Sequence, residues 1–536
     1  MRIETLFTTP EAPRASALQT LFDNRVPAPP APAKSEPLKA STTGYPSYAG
    51  AGLSRLNADW IGTLLSSDQE VRNSLKRLRA RCRQLHNNND YAMRFVNLVK
   101  RNAVGPNGIQ LEAQLQADQD ELAEQVNDEL ERGWRKWCRK GNPTADGKLS
   151  WVDVQNLVWE SLIVDGEVFL RKIVGFPDND FGFTLQFIDP DQVDVQFNRP
   201  RKVDSARGTV QNEVRMGIEV NEWLRPIAYW VLDGHPAEGH VKRTAIPASD
   251  MIHIHMFRRG NQTRGVPWLV TAMSRMNMLG GYEEAELTSA RVGACQGGFF
   301  VSKTGEEYTG RKNKDDGSVE VSMEPGLFEQ LPEGVDFKPF TPQHPNAAFP
   351  EFVKAMVRGM AVGLDISYPS LAGDLREVNF SSIRQAVLEE REMYRTLQTF
   401  AKDHLNQPVY EAWVPAAIPR KQLALPAAGI DEYVDPENLR WVGRGWTWVD
   451  PLKDVQAGKE ARGSGQTTLA KLCAAQGEDW RDVIDQIAIE DDYAEKKGVI
   501  LNFAVTKSAD GLPAVTPDPS APPVPVKDGD EEGENQ

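Results

Sequence analysis

A chain of 536 residues has ample length for a large core and is expected to fold as several subdomains rather than one. Its net charge of −15, from 61 basic and 76 acidic residues, argues against a protein that grips DNA, because tight phosphate binding comes from clustered Lys and Arg that release counterions. There is no run of about 18 apolar residues to span a membrane, and Cys82, Cys138, Cys295 and Cys473 form no C-x-x-C pair, so neither a local zinc site nor a disulfide framework is indicated.

Met1 to Arg14 carries acids and prolines where a signal peptide needs a basic start and an apolar centre, so a soluble protein with reduced thiols is expected. Residues 1–50, with VPAPPAPAKSEP at their middle, lack the apolar surface to offset chain entropy and read as a flexible tail. Order is expected to begin around Leu53 to Trp60. From Val71 the text predicts a basic helix, an Asn-rich break, a second helix with Phe95, Leu98 and Val99 on one face, and a Gly-Pro-Asn-Gly turn. Lys76, Arg77, Arg79, Arg81 and Arg83 make the densest basic cluster in the chain. They are a candidate contact for nucleic acid or an acidic partner, although a solvated helix face accounts for the same charges more simply.

A helical hairpin follows, carrying Trp134, Trp137, Trp151 and Trp159, whose rings suit core packing better than base stacking because no basic groove adjoins them. Strands are predicted at EVFLRKIV, FTLQFIDPDQVDVQF, IEVNEW, IAYWVL and MIHIHMF from their alternation. His253 and His255, two apart on the last of these, share a face as metal ligands would. A third ligand is not evident, which favours paired structural histidines. Val266 to Cys295 reads as a helix in which small residues recur and Gly280-Gly281 permits a kink. Gly297 to Asn346 reads as a small β-rich insertion, and Phe349 to Leu364 as a helix with Phe352, Met356, Met360 and Leu364 on one stripe.

Next comes an irregular polar loop, in which Pro369 and Gly373 interrupt any helix, followed by a long amphipathic helix. Ser382 with Gln385 fits a capping box, and Ile383, Val387, Tyr394, Leu397 and Ala401 form one stripe interrupted by Glu390. Continued to Leu405, this helix is roughly 36 Å long. Proline-broken helical material, three tryptophans (Trp441, Trp446 and Trp448) and closing helices follow. Residues 506–536 are again Pro- and acid-rich and read as disordered.

Four phrases occur in order along the chain: the basic helix with NNND and NAVGPNGI, then RRGNQTRGVPWL, then GLDISYPSLAGDLREVNFSSIRQAVLEERE, then VDPLKD. With them the stretch from Leu53 to Glu490 resembles the lambda-type family of tailed-bacteriophage portal proteins. The resemblance implies an α+β, ring-forming portal fold. Its parts are a wing (51–262), a first stem helix (263–295), a β-rich clip (296–347), a second stem helix (348–365), a tunnel loop (366–380), a long helix with the rest of the wing (381–450) and a helical crown (451–505), between two tails. It implies a non-catalytic structural protein: a dodecameric ring at one capsid vertex, through which double-stranded DNA is packaged and ejected. The implied partners are the terminase large subunit, the major capsid or scaffold protein, and head-completion or connector proteins. The implied location is the virion, with host cytoplasm during assembly, no membrane, no cofactor and no metal. Asp374, Leu375, Arg376, Glu377, Val378 and Asn379 would form the loop facing the DNA, and an acidic wall would let the duplex slide.

Enzyme signatures are missing: the sequence holds no G-x-x-x-x-G-K-[ST], G-x-S-x-G or H-E-x-x-H. Asp189, Asp191 and Asp194 are the most suggestive acids for an alternative, a Mg²⁺-dependent nuclease, but Asp-Pro-Asp is also common turn chemistry. A non-annular scaffold protein is the other alternative.

Overall fold

In the computed structural model of the chain the described residues are 62, 64–115, 120–204, 209–294, 298–302, 335–339, 348–376, 379–446, 451–476 and 479–498. Expectations for both tails, for Leu53 to Trp60, for Cys295, Glu377, Val378 and Trp448, and for most of 296–347 lie outside them. The chain divides into two units after Leu64, and the fold is that of the second.

Helix α1 (Ser67–Asn88) begins where Ser66 and Gln69 form a reciprocal capping box. It stops at Asn89, whose side chain accepts from Ala92 N at 3.1 Å and so starts α2 (Asp90–Val99). The asparagine-rich break is therefore a stop and a start in adjacent turns. After one π turn, Lys100–Val104, come β1 (Gln110–Ala113) and the expected hairpin of α3 (Asp120–Trp137) and α4 (Trp151–Val164). The strands β2 (Glu167–Val174) and β3 (Phe183–Ile188) follow, then the short β4 (Lys202–Asp204) and β5 (Thr209–Gln211). Next are β6 (Glu213–Arg215), β7 (Ile218–Val220), β8 (Pro226–Leu232) and β9 (Arg243–Pro247), which pair in that order as an antiparallel sheet. Strand β10 (Met251–His255) instead pairs with β2, giving an antiparallel sheet of order β10-β2-β3. The long predicted strand at FTLQFIDPDQVDVQF is cut at Ile188 because Asp189 and Pro190 begin a 3₁₀ turn.

The linker after β10 runs through a 3₁₀ turn, Trp268–Thr271, into α5 (Met273–Ala294), which continues through Gly280-Gly281 without interruption. Of the expected insertion, the described part is one antiparallel pair, β11 (Gly298–Ser302) with β12 (Val335–Pro339). Then come α6 (Phe349–Leu364), the short α7 (Tyr368–Ala372) and α8 (Phe380–Ala401). The long helix does not run evenly to Leu405. A π turn at Lys402–Asn406 intervenes, and α9 (Gln407–Ala417) carries the axis on with Pro408 in its first turn. A short α10 (Ile430–Tyr433) and β13 (Leu439–Val442) follow, and β13 pairs with β1. Helices α11 (Pro451–Gly463), α12 (Leu469–Gln476) and α13 (Trp480–Lys497) close the described chain.

The core is built on aromatic rings. Trp134 stacks on Trp137 at 4.9 Å and meets Trp151, Tyr410, Trp413 and Trp441 edge-on. Trp137 Nε1 donates to Phe183 O at 3.1 Å, tying α3 to β3. Cys82 is fully buried among apolar neighbours, and burial pushes its thiol up to about 12.

A second, ionic centre holds α1 to the sheets. Glu167, at the head of β2, is fully buried between Arg79 of α1 and Arg264 of the β10–α5 linker. Its Oε1 accepts from Arg79 Nη2 and from Arg264 Nε at 2.8 Å, while Oε2 accepts from His253 Nε2 at 2.8 Å and Gly265 N at 3.0 Å. The remaining guanidinium hydrogens of Arg264 go to Val193 O, Met216 O and Pro190 O. Burial alone would raise the Glu167 carboxyl, but the two guanidinium groups more than offset this and hold it well below the usual carboxylate range. The approach demands two glycines. A Cβ on Gly265 would lie 2.0 Å from Gly166 O, and Gly166 itself adopts φ +88 against the Val266–Pro267 backbone.

Removing one partner of such a buried pair costs about 3–5 kcal/mol, because the other charges stay buried without compensation. Glu167→Ala is expected to lower the thermal midpoint sharply or leave the chain insoluble. Lys76→Ala, which removes a 3.6 Å ion pair from a side chain that is 60% exposed, is expected to change it little. Thermal unfolding of the two variants side by side checks the contrast, and equal midpoints would mean that Glu167 is not the anchor.

Candidate functional site

The segment between α6 and α8 is more ordered at its base than a polar loop requires. Asp365 leaves α6 in the left-handed region at φ +61, Ser367 caps α7, and Pro369 lies in the first turn of α7, where its missing N–H costs nothing. The expectation that Pro369 breaks a helix is thus corrected: it opens one, and Gly373 at φ +68 closes it. Two side chains from elsewhere fasten α7. Glu390 of α8 accepts from Ser367 N at 2.7 Å and Ser370 Oγ at 2.9 Å, and Arg94 of α2 donates to Ser370 O at 3.1 Å. The acid that interrupts the apolar stripe of α8 is therefore the one that holds the loop. On that stripe Tyr394, Leu397 and Ala401 are buried, while Ile383 and Val387 are half-buried.

Beyond Gly373 the tip is held by its own residues. Asp374 accepts two parallel bonds from Arg376, Nε to Oδ1 at 2.9 Å and Nη2 to Oδ2 at 3.1 Å, a third from Arg376 N at 3.2 Å, and a longer one from Tyr368 Oη at 3.4 Å. The bonds from Arg376 hold the Asp374 carboxyl down to about 2. Leu375 is 61% exposed and the Arg376 side chain 87%. Tyr368, Asp374 and Arg376 also line a cleft of about 450 Å³ with Tyr91 and Lys354. Asn379, expected among the loop residues, caps α8: its Oδ1 accepts from Ser382 N at 2.8 Å. The helix starts at Phe380, and the Ser382/Gln385 capping box is not formed, because Asn379 precedes it and Gln385 donates to Glu389 instead.

The basic cluster of α1 is divided by the fold. Arg79 points inward to Glu167, and Arg83 donates to Asp165 at 2.6 Å and to Asp191 at 2.6 Å. The Arg79 side chain is buried, and that of Arg83 is 33% exposed. Arg77 and Arg81 are exposed, as is Lys76, which lies 3.6 Å from Asp194. The acids weighed for nuclease chemistry are the other half of the same pairing. Asp189 Oδ1 accepts from Asp191 N at 2.8 Å within its own turn, and Asp194 accepts from Arg243 at 2.8 Å. Asp189 and Asp191 do come close to His235, with potential ligand atoms within 4.8 Å of one another. Guanidinium hydrogens of Arg79 and Arg83 already engage both Asp191 oxygens, so cationic charge fills the space a metal would need.

His253 and His255 stack at 4.6 Å, with His253 donating to Glu167. Both rings are buried, His253 against Glu167 and His255 beside it. The four tryptophans of the α3–α4 hairpin are all buried, which removes them as stacking platforms for bases. Sequence reading missed Glu390, Arg94 and Tyr368 as loop-holding residues. The one signal was Glu390, a charge where the helical period calls for an apolar side chain. Among the described residues no helix is long and apolar enough to cross a membrane.

A family model described as phage portal protein, lambda family, matches residues 53–398. The chain is 32% identical over 504 residues to the probable portal protein of Halomonas phage phiHAP-1, spanning 91% of this chain and 94% of that protein. It is 23% identical over 319 residues to portal protein B of Escherichia phage lambda, spanning 54% and 60% respectively. Among solved structures, a chain from the neck of an empty gene transfer agent particle computed with C6 symmetry aligns with a TM-score of 0.42 at 14% identity, over 76% of this chain and 94% of that one.

The buried histidines set an acid limit on the fold. Burial lowers both, and His255 falls to about 3. An unfolded histidine titrates near 6.5, so the unfolded chain gains protons first as the pH falls, and stability drops from about pH 6.5 downward. Glu167 adds its own loss as the pH falls through the ordinary range of a glutamate and below it, because the unfolded carboxyl takes up its proton there first. The midpoint is therefore expected to fall between about pH 6.5 and 4.5, and His255→Phe to make that fall shallower by up to one proton's worth. Thermal melts across this range measure the slope, and an unchanged slope would mean that His255 is not held neutral by burial.

Proposed function

Because this chain belongs to the lambda family of phage portal proteins, we propose that twelve copies close into a ring at one capsid vertex and that double-stranded DNA enters and leaves the head through it. Twelve identical subunits in a closed ring require a heterologous interface, one face of each copy against a different face of the next. The observation that carries this reading is the exposure of apolar side chains on α5 and α6. Helix α5 buries Met273, Met276 and Leu279 but leaves Met278 68% and Leu287 55% exposed, and α6 leaves Val362 81% exposed. Gly280 and Gly281 have open space where a Cβ would stand, which suits a neighbouring helix. Met278 and Leu287 stand about 180° apart around α5, so in a ring one copy would present an apolar side chain to the neighbour on each flank.

In this reading α5 and α6 are the stem, the chain between them is the clip, and α11 to α13 are the crown. The loop with Asp374, Leu375, Arg376, Glu377, Val378 and Asn379 lines the channel. Arg77 and Arg81 remain as exposed basic contacts. The terminase large subunit docks on the ring during packaging, capsid or scaffold protein surrounds it, and connector proteins follow. The role is structural, and the acidic balance of the chain keeps phosphate from adhering to the wall.

Electron microscopy of the purified protein is expected to show rings with a central hole, and monodisperse single copies would overturn the reading. Leu287→Asp is expected to abolish rings while leaving the thermal midpoint of the subunit nearly unchanged, since it charges an exposed face rather than the core. Deleting residues 375–378 is expected to leave rings visible but to lower the genome content of assembled heads. Normal content in such heads would exclude a channel role for the loop.

A further inference from the structure

We propose that Asp374 acts as a built-in competitor for phosphate, occupying the guanidinium fork of Arg376 so that the loop's contact with duplex DNA stays weak. The inference rests on the channel reading of the loop and names the residue that regulates it. An arginine recognises a carboxylate and a phosphate with the same paired N–H donors. Here those donors are taken, Nε by Oδ1 at 2.9 Å and Nη2 by Oδ2 at 3.1 Å.

The two partners are not equally mobile. The Asp374 side chain is only 23% exposed and accepts in addition from Arg376 N at 3.2 Å and Tyr368 Oη at 3.4 Å. Tyr368 belongs to α7, which Glu390 and Arg94 fasten from below. The carboxylate is thus anchored to the base of the loop, whereas the guanidinium is 87% exposed and has the longer, rotatable side chain. A phosphate passing the tip must displace Asp374 to gain the Nε–Nη2 edge of the guanidinium, and the carboxylate recaptures that edge when the phosphate moves on. The competitor does not depend on pH in the working range, because its bonds to Arg376 keep Asp374 ionised far below neutrality. A duplex that slides past a ring of such forks meets weak, exchanging contacts rather than twelve fixed ones.

The test uses the full chain and a short fluorescein-labelled DNA duplex, with binding followed by anisotropy across a range of salt concentrations. Asp374→Asn keeps the side-chain shape and removes the competing charge. It is expected to tighten binding several-fold at low salt and to steepen the dependence of log K on log salt by about 0.9, the slope of one added phosphate contact. Glu377→Gln removes the same charge three residues away and is expected to give a smaller gain. Asp374→Asn combined with Arg376→Ala is expected to return binding to the level of Arg376→Ala alone. The proposal is overturned if Asp374→Asn binds no tighter than the natural chain, if Glu377→Gln matches it, or if the gain survives loss of Arg376. Imaging the same samples keeps the two readings separate. Rings without a gain in Asp374→Asn reject the competitor and leave the portal reading intact, whereas an absence of rings in the natural chain rejects the portal reading.

Discussion

One buried charge organises the fold. Glu167 is fully enclosed and accepts from Arg79, Arg264, His253 and the Gly265 backbone, so that α1, β2, β10 and the linker to α5 meet at a single carboxylate. An ion taken out of water carries a desolvation penalty that only well-placed opposite charges and hydrogen bonds offset. The elements that deliver those groups therefore have little freedom to shift against one another. The crossing of Gly166 and Gly265 is a consequence of the same demand, since any side chain at either glycine would push the linker away from the carboxylate.

That centre also decides what the outside of the molecule offers. Helix α1 carries a dense basic cluster, yet Arg79 and Arg83 are consumed inside by Glu167, Asp165 and Asp191, and the acids at 189–194 are paired in the same exchange. What reads in one dimension as a nucleic-acid patch beside a metal site is largely one internal salt-bridge network. The loop before α8 obeys a similar economy at smaller scale. Its base is fixed by Glu390 and Arg94, and its exposed cation is matched by the carboxylate two residues before it.

Much of the architecture was legible from period and punctuation. The eight residues of β2 and both ends of α6 fall where the sequence puts them, although β2 buries both faces over Glu167 to Leu170 rather than one face throughout. Boundaries failed where two local signals competed. Pro369 reads as a breaker but is harmless in a first helical turn, and Ser382 reads as a cap but follows a stronger one, Asn379. The family likeness, too, was legible, since it lies in the order of four short phrases.

The amino-acid sequence by itself determined the elements, the acidic balance and the membership of a family, because these depend on composition and on neighbours a few residues apart. Only the tertiary structure decided which charges are available. Arg79 and Arg81 are chemically alike and two positions apart, but roughly half a turn of helix separates them, which places the first over Glu167 and the second in solvent. Glu390 reads as a flaw in a stripe until α7 is seen beside it, and Asp374 as one more loop acid until its oxygens are seen in the fork of Arg376. A charge acts through its distance to a partner, and across a folded chain that distance is set by packing between segments remote in sequence.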